Sequence, residues 1–313
     1  MNCPQCGLIN PDTAARCDCG YGFRSDGGTG RERLRIDAIR YPGERVAFVV
    51  LLLAAAATGA ILLAVTASEP AAGGVILFYI VLFVGVSWLT KILALAEIRG
   101  NGIRVSKDQY PQLHAYASRF AAALELTRMP EVYVVQATMM NAFATKVIGK
   151  RYVVLYSHLV DAALESGDYD EVAMIIGHEL AHHAGGHVRW AGFLRFGFWI
   201  PFLYLYWSRR TEYTCDRAGL LLVNKLQPAL QGMVKLAVGR KLAASTNFAA
   251  LRQQKDSVSR EFGPTIVEIL SSHPLTIKRL TQIENFAQGY ASSLQKAQPS
   301  NPPLQPTAEN RGG

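Results

Sequence analysis

Two long apolar runs dominate the pattern of hydrophobic and polar residues in the first third of the chain. Residues 46–67 contain no charged side chain, and a second uncharged run extends from about residue 71 to residue 89, after the polar break at residues 68–70. Each run has roughly the 20 residues that an α-helix needs to cross a bilayer. We therefore predict a transmembrane helical hairpin over residues 46–93. The alternative, a hairpin buried in a soluble protein, is disfavoured by the length of both runs.

The pattern changes to that of a mixed domain after residue 100. Apolar positions recur at helical spacing over residues 107–126 and predict a helix. Three segments then have the valine and aromatic content of strands, namely Glu131–Gln136, Asn141–Thr145 and Arg151–Tyr156. We predict an α+β fold in which a mainly helical domain of residues 100–290 carries a small sheet.

The segments on either side of these units differ in composition. Residues 24–45 are rich in glycine and arginine and are predicted to be a basic linker. Residues 291–313 lose hydrophobic periodicity and gain serine, glutamine, proline and glycine, which predicts a disordered tail.

The distribution of basic residues predicts the orientation of the hairpin. The chain has a formal net charge of +8, and Lys and Arg flank the hairpin on both outer sides but are absent from its connecting turn. By the positive-inside rule both flanks are cytoplasmic. We expect an integral protein of the bacterial inner membrane, with both termini and the large domain in the cytoplasm. Because anchoring in the lipid bilayer accounts for the basic charge, nucleic acid is not expected as a partner.

Four of the five cysteines lie within the first twenty residues, in two closely spaced pairs. Such pairs can offer four thiolates to one tetrahedral zinc ion. A segment of about 23 residues buries too little apolar surface to fold alone, so metal binding would supply its folding free energy. We predict a zinc ribbon over residues 1–23, with two disulfides or a redox site as alternatives. Its expected ligands are Cys3, Cys6, Cys17 and Cys19.

The segment His178-Glu179-Leu180-Ala181-His182 carries the strongest chemical signal. Two histidines four positions apart share one face of a helix and can bind one zinc ion. Glu179 would take a proton from a water molecule at the open coordination position. Asp168 followed by Glu171 is a capping-box signal for the start of this helix. The alternative is a structural helix with two surface histidines.

A third zinc ligand must come from another segment. Glu212 and Asp216 are four positions apart and share one face of a second helix. The glutamate can bind zinc while the aspartate accepts a hydrogen bond from a ligand histidine, although a solvated helix face is the alternative. Cys215 is interpreted as a packing residue. Gly185 and Gly186 are predicted to end the first helix. On continuous helical geometry His187, nine positions after His178, would face away from it, and it is not predicted to be a ligand.

These motifs resemble those of the integral-membrane zinc metallopeptidases of the gluzincin type, which include the bacterial heat-shock protease HtpX and the CAAX prenyl proteases. The resemblance covers about residues 107–287. It rests on Gly177 to His182 with Gly186-His187, Glu212-Tyr213 with Asp216, His273-Pro274 with Arg279, and Asn141-Ala142-Phe143-Ala144.

The resemblance implies a zincin-type fold and assigns roles to these residues. The zinc ligands would be His178, His182 and Glu212, with Glu179 as the catalytic base and Asp216 as the support of a ligand histidine. His273 and Arg279 would flank the cleft, with His273 acting near the oxyanion or capping a helix. The strand of Asn141, Ala142, Phe143 and Ala144 would hold an extended substrate, although an ordinary edge strand is the alternative. Cys215 departs from the family, which usually has a small residue such as alanine there, and the ribbon lies outside the family's minimal domain.

Residues 190–207 form a third apolar segment, which Arg195 and Pro201 interrupt. A single membrane crossing here would separate Glu212 from His178, so the segment is predicted to be interfacial, re-entrant or a lid. A buried helix of the domain is the alternative.

Together these features predict a membrane-anchored zinc endopeptidase at the cytoplasmic face. Its expected substrates are polypeptides, in particular membrane proteins, and its expected role is quality control. It would bind one catalytic and one structural zinc ion. The competing interpretation is a catalytically silent membrane scaffold that uses the ribbon to bind a partner. The sequence does not indicate an oligomeric state.

Overall fold

The computed structural model of the protein describes residues 33–137, 141–197, 200 and 202–297. Helices dominate and the sheet is small, as predicted. It is a mixed sheet of four strands, one more than the three predicted, because the two-residue strand β1 is too short to give a sequence pattern. The helices are α1 (Ile36–Ile39), α2 (Glu44–Ser68), α3 (Pro70–Asn101), α4 (Pro111–Ala123), α5 (Ser157–Ser166), α6 (Tyr169–Ala184), α7 (His187–Leu194), α8 (Leu203–Val223), α9 (Leu226–Val238), α10 (Arg240–Ala243), α11 (Phe248–Val258), α12 (Phe262–Leu270) and α13 (Thr276–Ala297). The strands are β1 (Ile103–Arg104), β2 (Glu131–Val135), β3 (Ala142–Val147) and β4 (Lys150–Tyr156).

The two apolar runs form the helices α2 and α3. They are long and apolar enough to cross a membrane, and they are the two helices of this kind among the described residues. Many of their large side chains are exposed, including Leu63, Phe83 and Trp88. A core helix of a soluble protein would bury such residues, so the exposed apolar surface supports the predicted hairpin.

The sheet has the strand order β1-β2-β4-β3. The central strands β2 and β4 are parallel, with Tyr133 opposite Val154. The outer strands β1 and β3 are antiparallel to their neighbours. Strand β3 therefore lies at one edge of the sheet that the described residues form.

Helix α6 lies at the centre of the domain. Its residues Ala173, Met174, Ile176 and Leu180 are fully buried, and the helix contacts α4, α5, α8 and α9. Its N-cap is Asp168, whose Oδ1 accepts a hydrogen bond from the Asp170 amide at 2.9 Å. Packing on several sides holds this helix rigidly, as the support of a functional site requires.

The capping box expected at Asp168 and Glu171 is only partly as predicted. Asp168 caps the helix, but the carboxylate of Glu171 forms an ion pair with Lys235 of α9. This pair joins α6 to α9. The positive charge of Lys235 stabilises the buried carboxylate of Glu171.

The end of the predicted basic linker is packed against the large domain. Ile36 and Ile39 of α1 belong to its hydrophobic core, and the Leu34 amide donates to the carbonyl of Ala123 at 2.9 Å. Leu51 of α2 then shares a second hydrophobic cluster with Leu194 of α7 and Trp207 of α8. The first apolar helix is thus attached to the large domain through its own N-terminal half.

The apolar segment at residues 190–207 contains the end of α7, a 3-10 turn at Arg195–Gly197 and the start of α8. The carbonyl of Phe196 accepts a hydrogen bond from the hydroxyl of Thr58 in α2 at 2.9 Å. The 3-10 turn therefore lies alongside the first apolar helix.

Two predictions concern the ends of the chain. Helix α13 continues to Ala297, past residue 291 where the tail was expected to start. The rest of that tail and the expected ribbon ligands Cys3, Cys6, Cys17 and Cys19 lie outside the described residues.

Candidate metal centre

The two histidines of the segment from His178 to His182 lie one helical turn apart on α6. Their Nε2 atoms are 3.2 Å apart, and both side chains are largely buried. Their spacing of four residues on a continuous helix produces this arrangement.

Helix α8 brings the Glu212 carboxylate to the same point. Its Oε1 is 3.3 Å from Nε2 of His182, and its Oε2 is 3.5 Å from Nε2 of His178. One ligand atom from each of the three residues lies within 4.8 Å of the other two, close enough to hold a metal ion. Two imidazole nitrogens and a carboxylate are a donor set typical of catalytic zinc, so the residues present fit this ion.

Asp216 and Arg279 support the first histidine. Oδ1 of Asp216 accepts a hydrogen bond from Nδ1 of His178 at 2.9 Å. The guanidinium of Arg279 binds both carboxylate oxygens of Asp216, at 2.6 Å and 2.8 Å. The hydrogen bond to Asp216 keeps the proton of His178 on Nδ1 and leaves Nε2 free to bind a cation.

Charge governs the protonation of these buried groups. Burial by itself favours the neutral forms of Glu212 and Asp216, but the Arg279 charge and hydrogen bonds from neighbouring groups lower the pKa of both. Burial also disfavours protonation of His178, yet its hydrogen bonds to Asp216 and Glu212 raise its pKa to about 10. The two carboxylates therefore favour a positive charge at the centre.

Glu179 and His273 belong to the surroundings of the centre. Glu179 follows His178 on α6 and is buried, with 7% of its surface exposed. His273 precedes α13, and its Nδ1 is 3.1 Å from Oε2 of Glu212. The imidazole of His273 is mostly exposed, and the Glu212 carboxylate raises its pKa.

The glycines before His187 end the helix, as predicted, so continuous helical geometry does not place this residue. Helix α6 ends at Ala184, and Gly186 adopts φ +76°, so the chain turns before His187 starts α7. Nδ1 of His187 thereby lies 3.2 Å from Nδ1 of His182. Glycine readily adopts the left-handed conformation that ends a helix, which is why the turn could be predicted. The approach of His187 to His182 was not predicted, because it depends on the direction that the chain takes after the turn.

Cys215 is fully buried, and its Sγ is 3.5 Å from Nδ1 of His187. Burial raises the pKa of this thiol well above its usual value. Cys215, His187 and His182 form a second group of donors, one atom from each lying within 4.8 Å of the others. This group shares His182 with the first one.

The sheet packs against α6. Asn141 precedes β3, and its carbonyl accepts a hydrogen bond from the Tyr156 amide at 3.0 Å. His183 of α6 donates from Nε2 to the carbonyl of Tyr152 in β4 at 3.0 Å. Strand β3 also contacts α6 directly. The helix that carries the two histidines is therefore fixed to the sheet, whose edge strand contains Ala142, Phe143 and Ala144.

Comparison with known proteins agrees with this geometry. Residues 107–195 and 189–287 match the sequence model of peptidase family M48, and together they span more than half of the chain. The plastoglobule-localized metallopeptidase 48, chloroplastic, of Arabidopsis thaliana is 27% identical to the chain over an alignment of 235 residues, and the match covers 67% of each protein. The resemblance seen in the sequence is thus confirmed at the level of the family. The chain belongs to peptidase family M48 and is a zinc metalloprotease.

Proposed function

We propose that this metalloprotease is a membrane-anchored endopeptidase in which His178, His182 and Glu212 hold the zinc ion. The observation that carries the proposal is the meeting of the two histidine Nε2 atoms with the Glu212 carboxylate, at distances of 3.2 Å, 3.3 Å and 3.5 Å. The three side chains come from two separate helices, so their convergence does not follow from the spacing of the histidines alone.

Hydrolysis of a peptide bond needs a Lewis acid and a base. When bound, zinc supplies the Lewis acidity that makes water a stronger nucleophile near neutral pH. Glu179 accepts the proton of the attacking water and passes it to the nitrogen of the leaving amine. One water molecule is consumed as the peptide C–N bond breaks. The buried position of Glu179 beside His178 supports this role.

The remaining polar residues have supporting roles in this proposal. Asp216 orients His178, and Arg279 holds Asp216 through two hydrogen bonds. His273 contacts Glu212 from an exposed position and would stabilise the negative oxygen of the attacked carbonyl.

We propose that an extended substrate pairs with the edge strand β3. Because the Asn141 carbonyl accepts the Tyr156 amide, the backbone N–H and C=O groups of Phe143 point to β4. Those of Ala142 and Ala144 alternate with them and point to the edge. This edge would supply main-chain hydrogen bonds that hold peptides of varied sequence.

The two apolar helices and the basic residues that flank them support an anchor in a bacterial inner membrane, with the catalytic domain in the cytoplasm. The substrates would then be membrane proteins, as in quality control. We further propose a zinc ribbon at residues 1–23 that binds a second, structural zinc ion, and the other domain limits predicted from the sequence except the two that the fold changes: the end of the linker joins the large domain, and α13 continues to Ala297.

The test is the cleavage of casein by the detergent-purified protein. The Glu179→Gln variant should bind zinc as the wild type does and lose turnover, and phenanthroline should inhibit the wild type. A Glu261→Gln variant, altered at an exposed site before α12, is the matched control and should keep its activity. Equal turnover of the Glu179→Gln variant and the wild type would refute the proposal. Zinc binding without cleavage of any polypeptide by the wild type would favour the silent scaffold.

A further inference from the structure

His178 and His182 each have a second ring nitrogen, Nδ1, that is not proposed to bind the metal, and these two Nδ1 atoms have different partners. Nδ1 of His178 meets the Asp216 carboxylate, whereas Nδ1 of His182 meets a second imidazole, that of His187, at 3.2 Å. His187 in turn places its Nε2 3.1 Å from Oε1 of Glu44. We propose that Glu44 and His187 are positioning residues for His182, which makes the first turn of the first apolar helix a part of the metal centre. This inference rests on the proposed role of His182 as a zinc ligand.

The three residues have one consistent arrangement of protons. If Nε2 of His182 binds a cation, the proton of this neutral ring is on Nδ1, which donates to Nδ1 of His187. The proton of His187 is then on Nε2 and is donated to Glu44, because an ionised carboxylate only accepts. The Glu44 carboxylate thus orients His182 through the ring of His187, whereas the Asp216 carboxylate orients His178 directly.

Glu44 is held firmly enough for this role. Its side chain is 1% exposed and accepts hydrogen bonds from Arg40 and Thr214 as well as from His187. A buried carboxylate with three donors, one of them a guanidinium, has a fixed position and a compensated charge.

The same network holds the turn that carries His187. Arg40 donates to the carbonyl of Gly185 at 3.2 Å, two residues before His187. The Tyr41 amide donates to Oγ1 of Thr214 on α8 at 2.9 Å. The residues that precede the first apolar helix therefore contact the end of α6 and the middle of α8, the two helices that supply the donors of the metal centre.

The test measures zinc affinity by competition with a chelator, on the full-length protein in detergent. The His187→Phe variant keeps an aromatic ring at this position but removes both nitrogens. We expect it to bind zinc about tenfold or more weakly than the wild type. The Glu44→Gln variant should weaken binding in the same direction by a smaller factor, because the amide oxygen still accepts a hydrogen bond. Glu171→Gln alters another buried and paired carboxylate, far along α6 from His182, and is the control for general destabilisation.

The double variant separates positioning from a merely structural role. Because Glu44 acts on His182 through His187, Glu44→Gln should have no further effect on zinc affinity in the His187→Phe background. The visible spectrum of the Co²⁺-substituted protein should change in both single variants and not in Glu171→Gln. If Glu44→Gln does not fold, the comparison of His187→Phe with the wild type decides alone.

Three outcomes would overturn the inference. The first is wild-type zinc affinity in His187→Phe, and the second is an effect of Glu44→Gln that is equal in both backgrounds. The third is one fewer zinc ion bound by Cys215→Ala than by the wild type, because Cys215, His187 and His182 would then hold a second ion. A failure of the proposed function gives a different result from a failure of this inference. If His182 were not a zinc ligand, the His182→Ala variant would bind zinc as tightly as the wild type.

Discussion

Gly177 of α6 faces Gly219 of α8 so closely that a Cβ on Gly177 would lie 3.2 Å from the Cα of Gly219. Gly177 directly precedes His178, and Gly219 follows Asp216 by about one turn of α8. The close approach of the two backbones sets the distance between the helices that carry His178 and Glu212. A pair of residues without side chains thus determines whether the donors can converge.

A Gly219→Ala substitution should destabilise the protein and weaken its zinc binding. The new Cβ would lie 2.8 Å from the carbonyl oxygen of Met174, so the helices must separate. We expect a loss of about 1–3 kcal/mol in the free energy of unfolding, measured with urea. Gly289→Ala on α13 meets no atom within 4 Å and should be neutral or stabilising. Equal stabilities of these two variants would show that the contact does not set the helix distance.

An Asp216→Asn substitution should lower zinc affinity by about 10–100-fold. The amide can no longer bind Arg279 through two oxygens, and its NH₂ group can face Nδ1 of His178, which favours the wrong tautomer. Chelator competition measures the effect. Asp256→Asn on the exposed face of α11 is the control, and unchanged affinity in both variants would contradict the role of Asp216.

Acid should destabilise the protein through His183. Burial lowers the pKa of His183 to about 4, below the value of about 6.5 in an unfolded chain. Between these values the unfolded state binds the proton more readily, so the stability that is present above about pH 6.5 is lost as the pH falls toward about 4. The shift corresponds to about 3 kcal/mol at most.

The measurement is the pH dependence of the unfolding free energy between about pH 4 and 6.5. A His183→Gln variant should be less stable at neutral pH, because the bond to the Tyr152 carbonyl is altered, but its stability should change less steeply with pH. Identical slopes for the variant and the wild type would mean that other groups cause the acid sensitivity.

Proline at the edge of β3 should separate substrate binding from folding. The amide of Ala144 points away from β4, so Ala144→Pro should reduce kcat/KM for a peptide by about five- to tenfold, as the loss of one hydrogen bond predicts. Phe143→Pro removes an amide that points to β4 and should lower the melting temperature instead. Full activity of a folded Ala144→Pro variant would exclude strand pairing at this position.

The parts of the fold that depend on local sequence could be predicted, and those that depend on distant segments could not. The spacing of His178 and His182 is a property of one helix, and the two apolar runs are each visible alone. The partner of His182 could not be found, because His187 reaches it only after the turn at Gly186, and Glu44 reaches His187 from far along the chain.

The same distinction applies to the start of α6. Glu171 satisfies the sequence rule for a capping box, but its carboxylate is bound by Lys235. The position of Lys235 depends on how α9 packs against α6, which no local pattern indicates.

The guanidinium that holds Asp216 belongs to Arg279, on the last described helix. During translation, α6 and α8 leave the ribosome well before α13 does. The support of His178 can therefore be completed only after α13 has been synthesised, long after the two apolar helices have emerged. The zinc affinity of the metal centre therefore depends on a residue that is added after all of its proposed ligands.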